Sequence, residues 1–366
     1  MQRCEVLVIG GGPAGSSCAR FLASEGVPVL VMDRERFPRD KPCAGWITPE
    51  VLALLGIDPA VYGSERLLQP IREFRTGLMY RDEVVTDFAH TVSYGILRSE
   101  FDHYLLQAAG CPTLLGEAAA KIVRTANGWL INDRIEAAVI VGAGGHHCPV
   151  AAFMGAAPGR ESAILAMVAE FRLPERELSV SFLPPGCVEL HFTPDLSGYG
   201  WLFRKGCYLN VGFGIYPGSG VRVQTQDFCA HLQLRGDIPL DLTPHLKGHA
   251  YLPYRRTGGR DVVADGALLV GDAAGVSSPQ SGEGILPAVE SGRMAARTIL
   301  EAAGDYRRER LEPYRDSLKK RFGAHRADAP SAPATLRKLA AAAILSNGWL
   351  TRHLVLDHWF LHADET

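Results

Sequence analysis

Eight cysteines are scattered through the chain, and no two of them form a C-x-x-C pair. That absence removes the spacings used by zinc ribbons and dithiol redox centres, and a disulfide framework is not expected in a chain of 366 residues. No apolar run approaches the roughly eighteen residues that a membrane span requires. Neither sign of charge is in excess: 38 Lys and Arg oppose 40 Asp and Glu. The net charge of −2 gives no general attraction to nucleic acid, and none is expected as a partner. No basic leader precedes the first apolar segment, so a cleaved signal peptide is not expected and a reducing, cytoplasmic setting is. Repeats and low-complexity tracts are missing as well. What remains is 47% hydrophobic and 21% charged, the composition of a globular protein with a sizeable core.

The most telling segment lies near the start. Glu5-Val6-Leu7-Val8-Ile9 is an apolar, β-branched run that breaks into Gly10-Gly11-Gly12-Pro13-Ala14-Gly15, after which residues 16–25 favour a helix. Gly10-x-Gly12-x-x-Gly15 is the dinucleotide-binding spacing. Gly10 permits the tight turn, Gly12 lets backbone approach a pyrophosphate, and Gly15 lets the helix pack closely on the strand. Pro13 and Ala14 form the first turn, where free N–H groups and the positive helix end meet phosphate. A second strand, Val29-Leu30-Val31-Met32, ends at Asp33, whose carboxylate can accept from ribose hydroxyls, with Arg34 beside it.

Beyond Arg34 a polar loop with two prolines runs to Trp46, longer than a minimal connection. Residues 71–88 alternate loosely and are expected to leave the nucleotide layer for a second sheet. Ser99 is expected to cap a helix carrying Phe101, Leu105 and Ala108 on one face. Ala137-Ala138-Val139-Ile140-Val141 suits a parallel strand buried on both faces. His146-His147-Cys148 resembles a metal cluster by eye, but consecutive residues rarely satisfy tetrahedral geometry and no metal is expected. From about 162 to 253 the pattern is β-rich, with strands expected at 164–171, 177–183, 188–192, 199–204 and 208–215 and a helix at 226–234. Ala267-Leu268-Leu269-Val270 returns to the nucleotide layer, a long helix is expected over 282–303, and the remainder is helical. The fold class is α/β: a Rossmann-like domain (1–70, 95–160 and 255–303), an inserted antiparallel β-sheet substrate domain (71–94 and 161–254), and C-terminal helices (304–366).

The segment Gly271-Asp272-Ala273-Ala274-Gly275 and its continuation to Gly282-Glu283-Gly284-Ile285 places a second acid and a second helix N-terminus after a buried strand. Such a pair suits the other half of a long cofactor. Asp272 would bind ribityl hydroxyls or waters beside the phosphates, and N–H groups at 282–285 would face a flavin pyrimidine ring, whose N1 is negative when reduced.

The pairing of Gly10–Gly15 and Asp33 with this Gly-Asp segment resembles FAD enzymes of the para-hydroxybenzoate hydroxylase-like fold. Within that fold, three local matches resemble the geranylgeranyl reductase family. They are Phe37-Pro38-Arg39-Asp40-Lys41-Pro42-Cys43-Ala44-Gly45, Tyr199-Gly200-Trp201-Leu202-Phe203-Arg204-Lys205 (Arg204 standing where the family has proline), and Ser278-Pro279-Gln280-Ser281-Gly282-Glu283-Gly284-Ile285. The resemblance implies that Cys43 and Ala44 pass beside the isoalloxazine and that Arg98 lies near the FAD phosphates or ribityl chain. It implies hydride transfer from flavin N5 to a carbon–carbon double bond of a prenyl or other hydrophobic substrate, or the reverse dehydrogenation. Cys43 or water would supply the proton, with NAD(P)H or a reduced electron-carrier protein as transient donor. One departure stands out: Gly142-Ala143-Gly144-Gly145 replaces the usual Gly-Ala-Asp-Gly, and the missing carboxylate leaves one expected flavin- or nicotinamide-side contact unfilled.

Trp46, Tyr199, Trp201 and Phe203 are candidate walls for an elongated apolar substrate, with sheet packing as the competing role. Residues 336–360 either rest on a membrane surface as a peripheral contact or pack on the protein's own core, and a monomer and a homodimer both remain open. Two rival functions share the same residues: a flavin monooxygenase or halogenase, and a non-catalytic FAD-binding electron relay.

Overall fold

The computed structural model describes residues 1–156, 163–174, 183–216, 220–238, 245–254, 260–323 and 333–362. The chain forms two compact units, each assembled from three stretches: 1–40, 98–161 and 251–329 in the first, and 41–97, 162–250 and 330–366 in the second.

The first unit is built on an eight-stranded sheet. Strand β1 (Gln2–Ile9) runs parallel to β2 (Val29–Asp33) on one side and to Ile135–Gly142 on the other. Val6, Leu7 and Val8 are fully buried, as a strand covered on both faces requires. The strand Ile135–Gly142 shares one edge between two partners. Its residues 140–142 pair in parallel with Ala267–Leu269, and 135–137 pair antiparallel with Gly128–Ile131. Helix α1 (Pro13–Ser24) follows the glycine loop, and Ile285–Ala302 packs against it. The latter begins at Ile285 rather than 282, because Gly282 adopts a left-handed φ of +71° and Gly284 serves as the N-cap. Ser99 is not a cap either: the helix Arg98–Ala108 already includes Arg98.

The second unit contains a seven-stranded sheet in the order Lys247–Tyr251, Ile164–Arg172, Tyr208–Ile215, Gly198–Lys205, Cys187–Phe192, Glu73–Leu78 and Glu83–Asp87. It is not wholly antiparallel as expected, since Cys187–Phe192 runs parallel to Glu73–Leu78. The chain between these two strands passes through residues 98–161 of the first unit, a crossover long enough for parallel pairing. The strand expected at 177–183 falls almost entirely outside the described residues.

The units also divide the chain differently from the sequence expectation. Residues 41–70 belong to the second unit, where Trp46–Ile47, Ser93–Ile96 and Leu68–Ile71 pair as a small separate sheet. The C-terminal helices do not form a segment of their own. Pro313–Phe322 joins the first unit, held by the buried Tyr314 hydroxyl donating to Leu269 O at 2.7 Å. Thr351–Phe360, a helix of wide π-type turns, joins the second.

Away from these elements the second unit buries a charged cluster. Glu189 accepts from the Arg235 guanidinium at 3.4 Å, lies 3.2 Å from His191 Nε2, and faces Arg75 at 3.6 Å. Glu83, Glu189 and His191 bring ligating atoms within 4.8 Å of one another, but Arg235 bridges the two carboxylates and supplies the positive charge itself. Burial alone would raise the Glu189 pKa; the hydrogen bond and charge of His191, with Arg235 and Arg75, outweigh it and hold the group below its ordinary value. A depressed folded-state pKa stabilises the fold fully above the unfolded value of about 4.3, and that contribution is lost as pH falls through the folded value. Glu189→Gln is therefore expected to cost about 2 kcal/mol in urea unfolding at neutral pH. The gap to the unsubstituted protein should close as the pH is lowered through the depressed folded-state pKa of Glu189.

Candidate functional site

In the first unit the glycine loop has the shape its spacing implies. Gly10 has φ of +119°, and a Cβ there would lie 2.3 Å from Ala143 O. A Cβ on Gly15 would lie 1.9 Å from Gly10 O, so α1 packs against the turn that introduces it. At Gly12, by contrast, the nearest atom to an added Cβ is the end of the Arg39 side chain, 3.5 Å away. Gly12 is the N-cap of α1 and provides no side-chain acceptor; Pro13 opens the helix and no acid occupies its first turn. The positive end of the helix is thus left to an external anion. Asp33 closes the other side, accepting from Gly11 N–H at 2.7 Å and Glu35 N–H at 2.9 Å. Those two bonds fix a half-buried carboxylate whose remaining lone pairs suit ribose hydroxyls. Arg34, its neighbour, extends into solvent and pairs with Glu35.

Arg98 and Asp102 form a bidentate pair, both bonds 2.7 Å, with the Asp102 carboxylate completely buried. The same carboxylate holds Arg39 at 3.2 Å, and the Arg39 guanidinium lies over the Phe37 ring. One buried acid therefore stations two cations, Arg39 of them beside Gly12. Arg39 stands inside the Phe37–Gly45 segment but was not among the expected site residues; its tie to a buried Asp 63 positions along the chain carries no local signal.

The second acid-and-helix feature joins the first through Ala14. Gly271 has φ of +60°, and a Cβ on it would sit 2.9 Å from Ala14 Cβ; one on Gly292 would sit 2.2 Å from Ala14 O. Close backbone approach thus sets α1 against Ile285–Ala302. That second helix also starts without a side-chain cap or an acid in its first turn, although Leu286 N–H donates weakly to Glu283 at 3.4 Å. Asp272 accepts from Ser277 Oγ at 3.1 Å, and a Cβ on Gly284 would come within 3.4 Å of the Asp272 carboxylate. Two uncapped helix ends and two carboxylates at strand termini fit a long dinucleotide carrying a pyrophosphate and a ring that gains negative charge. Gly144 stands where the aspartate is missing, and a Cβ there would lie 3.1 Å from Cys148 Cα; the preceding Ala143 packs its carbonyl against Gly10 and donates its N–H to Ile9 O at 2.8 Å.

Cys43, Ala44, Trp46, Tyr199, Trp201 and Phe203 all belong to the second unit. Cys43 is half-buried, and the Cys43 and Ala44 carbonyls accept hydrogen bonds from Asn210 and Lys205. The aromatics form one cluster. Trp46 stacks on Phe360 at 5.4 Å and tilts against Phe74 at 5.5 Å, while Tyr199 meets Phe192, Trp201 and Phe360. Trp46 and Tyr199 remain partly exposed, but Trp201 is buried with its indole N–H donating to Asn210 Oδ1 at 2.8 Å, and Phe203 is fully buried. Phe203 is thus a packing residue. Phe360, which covers this face from the C-terminal helix, was not anticipated.

Replacing Asp102 with Asn removes the negative charge shared by Arg39 and Arg98. The expected result is a loss of about 3 kcal/mol in unfolding free energy, because a buried pair is broken from one side. Titration of the FAD-stripped variant with FAD should show weakened binding.

The chain matches the model of an FAD binding domain over residues 3–112. It is 28% identical to a digeranylgeranylglycerophospholipid reductase of Methanothrix thermoacetophila, covering 88% of this chain and 86% of that one. A menaquinone reductase of Mycobacterium tuberculosis is 30% identical, covering 81% and 76%. Among solved structures, a geranylgeranyl bacteriochlorophyll reductase-like protein of Thermoplasma acidophilum superposes with a TM-score of 0.72 over 96% of this chain and 90% of that one, at 22% identity, and so shares the fold. With these relatives and a dinucleotide cradle in place, the cofactor is FAD, and the chain belongs to the geranylgeranyl reductase family of FAD-dependent oxidoreductases.

Proposed function

We propose that this enzyme saturates carbon–carbon double bonds in the prenyl chain of a lipid or quinone. The observation that carries the substrate class is the pair of partly exposed rings Trp46 and Tyr199, backed by the buried rings of Phe74, Phe192 and Phe360, an aromatic lining on the second unit that suits an unsaturated hydrocarbon chain. Two relatives named for reduction of a digeranylgeranyl phospholipid and of menaquinone support the same class. Gly10, Gly12, Pro13, Ala14, Gly15 and Asp33 hold the adenosine and pyrophosphate half of FAD, with Arg39 and Arg98 balancing its charge. Gly271, Asp272, Gly282, Gly284 and Ile285 hold the flavin half. Bound and reduced, FAD supplies a hydride equivalent.

The chain's own contribution is the second hydrogen. The Cys43 thiol gives its proton to the carbon that does not receive hydride, and water restores the thiol, so each saturation consumes one hydride and one proton. Cys43→Ser is expected to lower kcat by roughly a hundredfold with little change in KM, the mark of a group acting in the transition state. Reduction of the holoenzyme by NAD(P)H or by a reduced carrier protein identifies the electron donor.

The test of the reaction is anaerobic. Reduced holoenzyme is mixed with vesicles containing a geranylgeranyl phospholipid or menaquinone, and return of the oxidised flavin spectrum is followed. Reoxidation by the prenyl substrate, with saturated product in the mass spectrum, is expected. Reoxidation by oxygen alone, with a hydroxylated or halogenated product, would replace this reading with the monooxygenase one.

The substrate class also implies a lipid surface. Among the described residues no helix is long and apolar enough to cross a membrane. On Ala334–Leu345 and the turn after it, Leu336, Leu339 and Trp349 are exposed (57%, 70% and 68%), with Lys338 and Arg352 also exposed nearby. Apolar anchors flanked by cations suit peripheral contact with anionic lipid. Leu339→Glu combined with Trp349→Glu is expected to abolish co-sedimentation with anionic vesicles while leaving turnover of detergent-dispersed substrate unchanged.

A further inference from the structure

The loop at Cys43 is held from beneath by an unusual buried device. Lys205 ends the strand Gly198–Lys205 with no exposed surface. Its ammonium donates to Ala44 O at 2.9 Å and to Ile96 O at 2.8 Å, and pairs with the Glu170 carboxylate. An ammonium has three protons, and these are three acceptors. Asn210, on the neighbouring strand, uses its amide in the same way. Its NH₂ donates to Cys43 O at 3.0 Å and to Glu170 Oε2 at 2.8 Å, while its carbonyl accepts from Trp201 Nε1 at 2.8 Å. Gly45 O accepts from Ile96 N–H at 2.7 Å. Three consecutive carbonyls, of Cys43, Ala44 and Gly45, are therefore each fixed by a different donor.

The surrounding backbone makes room for this arrangement. A Cβ on Gly45 (φ +63°) would lie 2.6 Å from Lys205 Nζ and 2.4 Å from Ile96 O. One on Gly95 would lie 2.7 Å from Lys205 Cγ, and one on Gly212 would lie 2.1 Å from the Trp201 ring. Three glycines thus clear the path of the lysine stem and the indole. Burying an ammonium and a carboxylate costs desolvation that well-packed hydrophobic residues avoid, so stability alone is a weak reason to keep the pair. A fixed loop is a better one. The Lys205 and Asn210 donors end on carbonyls of the Cys43 loop, on the Ile96 carbonyl or on the Glu170 carboxylate.

We propose that Lys205, Glu170 and Asn210 form a positioning unit for Cys43, setting the loop conformation in which its thiol acts. This rests on the proton-donor reading of Cys43 for its effect on turnover, but not for its effect on the thiol itself. Lys205 acts through the Ala44 carbonyl and Asn210 through the Cys43 carbonyl. Trp201 is tied to the same unit through Asn210, so the aromatic strand and the Cys43 loop share one set of hydrogen bonds.

The experiment compares holoenzyme carrying Lys205→Met, Asn210→Ala or Glu170→Gln with the unsubstituted protein. Two quantities are read: the rate of iodoacetamide alkylation at Cys43, located by peptide mass spectrometry, and the separate values of kcat and KM. Circular dichroism checks folding, and Asn210→Ala, which leaves the Lys205–Glu170 pair intact, serves if Lys205→Met does not fold. The expected result is a change of about tenfold or more in Cys43 alkylation, with kcat reduced and KM nearly unchanged, since small misplacements of a reacting group are costly. A folded Asn210→Ala or Lys205→Met protein with unaltered Cys43 reactivity and kcat would overturn the proposal. Altered thiol reactivity in an enzyme whose Cys43→Ser form keeps full activity would uphold the positioning unit and remove the proton-donor role instead.

Discussion

The first unit depends on how closely backbone can approach backbone around Ala14. Two helices, α1 and Ile285–Ala302, lie together there because Gly271 and Gly292 present no side chain to it, and Gly15 lets α1 sit against its own turn. Neither N-cap residue offers a side-chain acceptor and neither first turn carries an acid. The electrostatic stabilisation that most helices obtain from a Ser, Asp or Glu at this end has been left for a ligand. The same economy of side chains that lets the helices touch also leaves room for an anion, beside carboxylates at Asp33 and Asp272 whose lone pairs suit hydroxyl groups.

The second unit solves a different problem. An apolar substrate offers few polar handles, so its recognition rests on shape and on aromatic surface. Around Cys43, however, the contacts are directional, and they come from Lys205, Glu170, Asn210 and Trp201. The buried charges there are matched almost one for one, as are those of Glu189, Arg235, Arg75 and His191 further along the sheet. Apart from Arg235, which ends the helix Val221–Arg235, both clusters sit on strands, whose register brings residues from separate segments opposite one another.

What was legible in the sequence follows from range. Gly10, Gly12, Gly15 and Asp33 were readable because backbone constraints act within about twenty residues, and a strand–turn–helix pattern confirms them. The period-two aromatics at 199–203 correctly announced a strand, but the burial of Phe203 depends on Gly95 from a distant segment. Nothing local marks Lys205 as buried; its acceptor at Ala44 lies 161 positions away. Arg39 and Phe360 were missed for the same reason. The domain boundaries shifted because local pattern shows where a strand lies and not which sheet it joins, as with residues 41–70.

The division of the chain has a consequence for synthesis. Polypeptide passes between the two units five times, at residues 40, 97, 161, 250 and 329. The antiparallel neighbours spanning 187–215 can pair as soon as they emerge, since their turns are short. The first unit must wait: β1 cannot gain its full layer until Ala267–Leu269 joins Ile135–Gly142, and α1, which packs on the earlier helix Arg98–Ala108, lacks its second helix neighbour until Ile285–Ala302 is made. Contacts of such long sequence separation are slow to form and leave apolar surface uncovered meanwhile. A nascent chain stalled before residue 267 would therefore present α1 and the edge of Ile135–Gly142 unprotected, making the cofactor-binding unit the natural client of chaperones during translation.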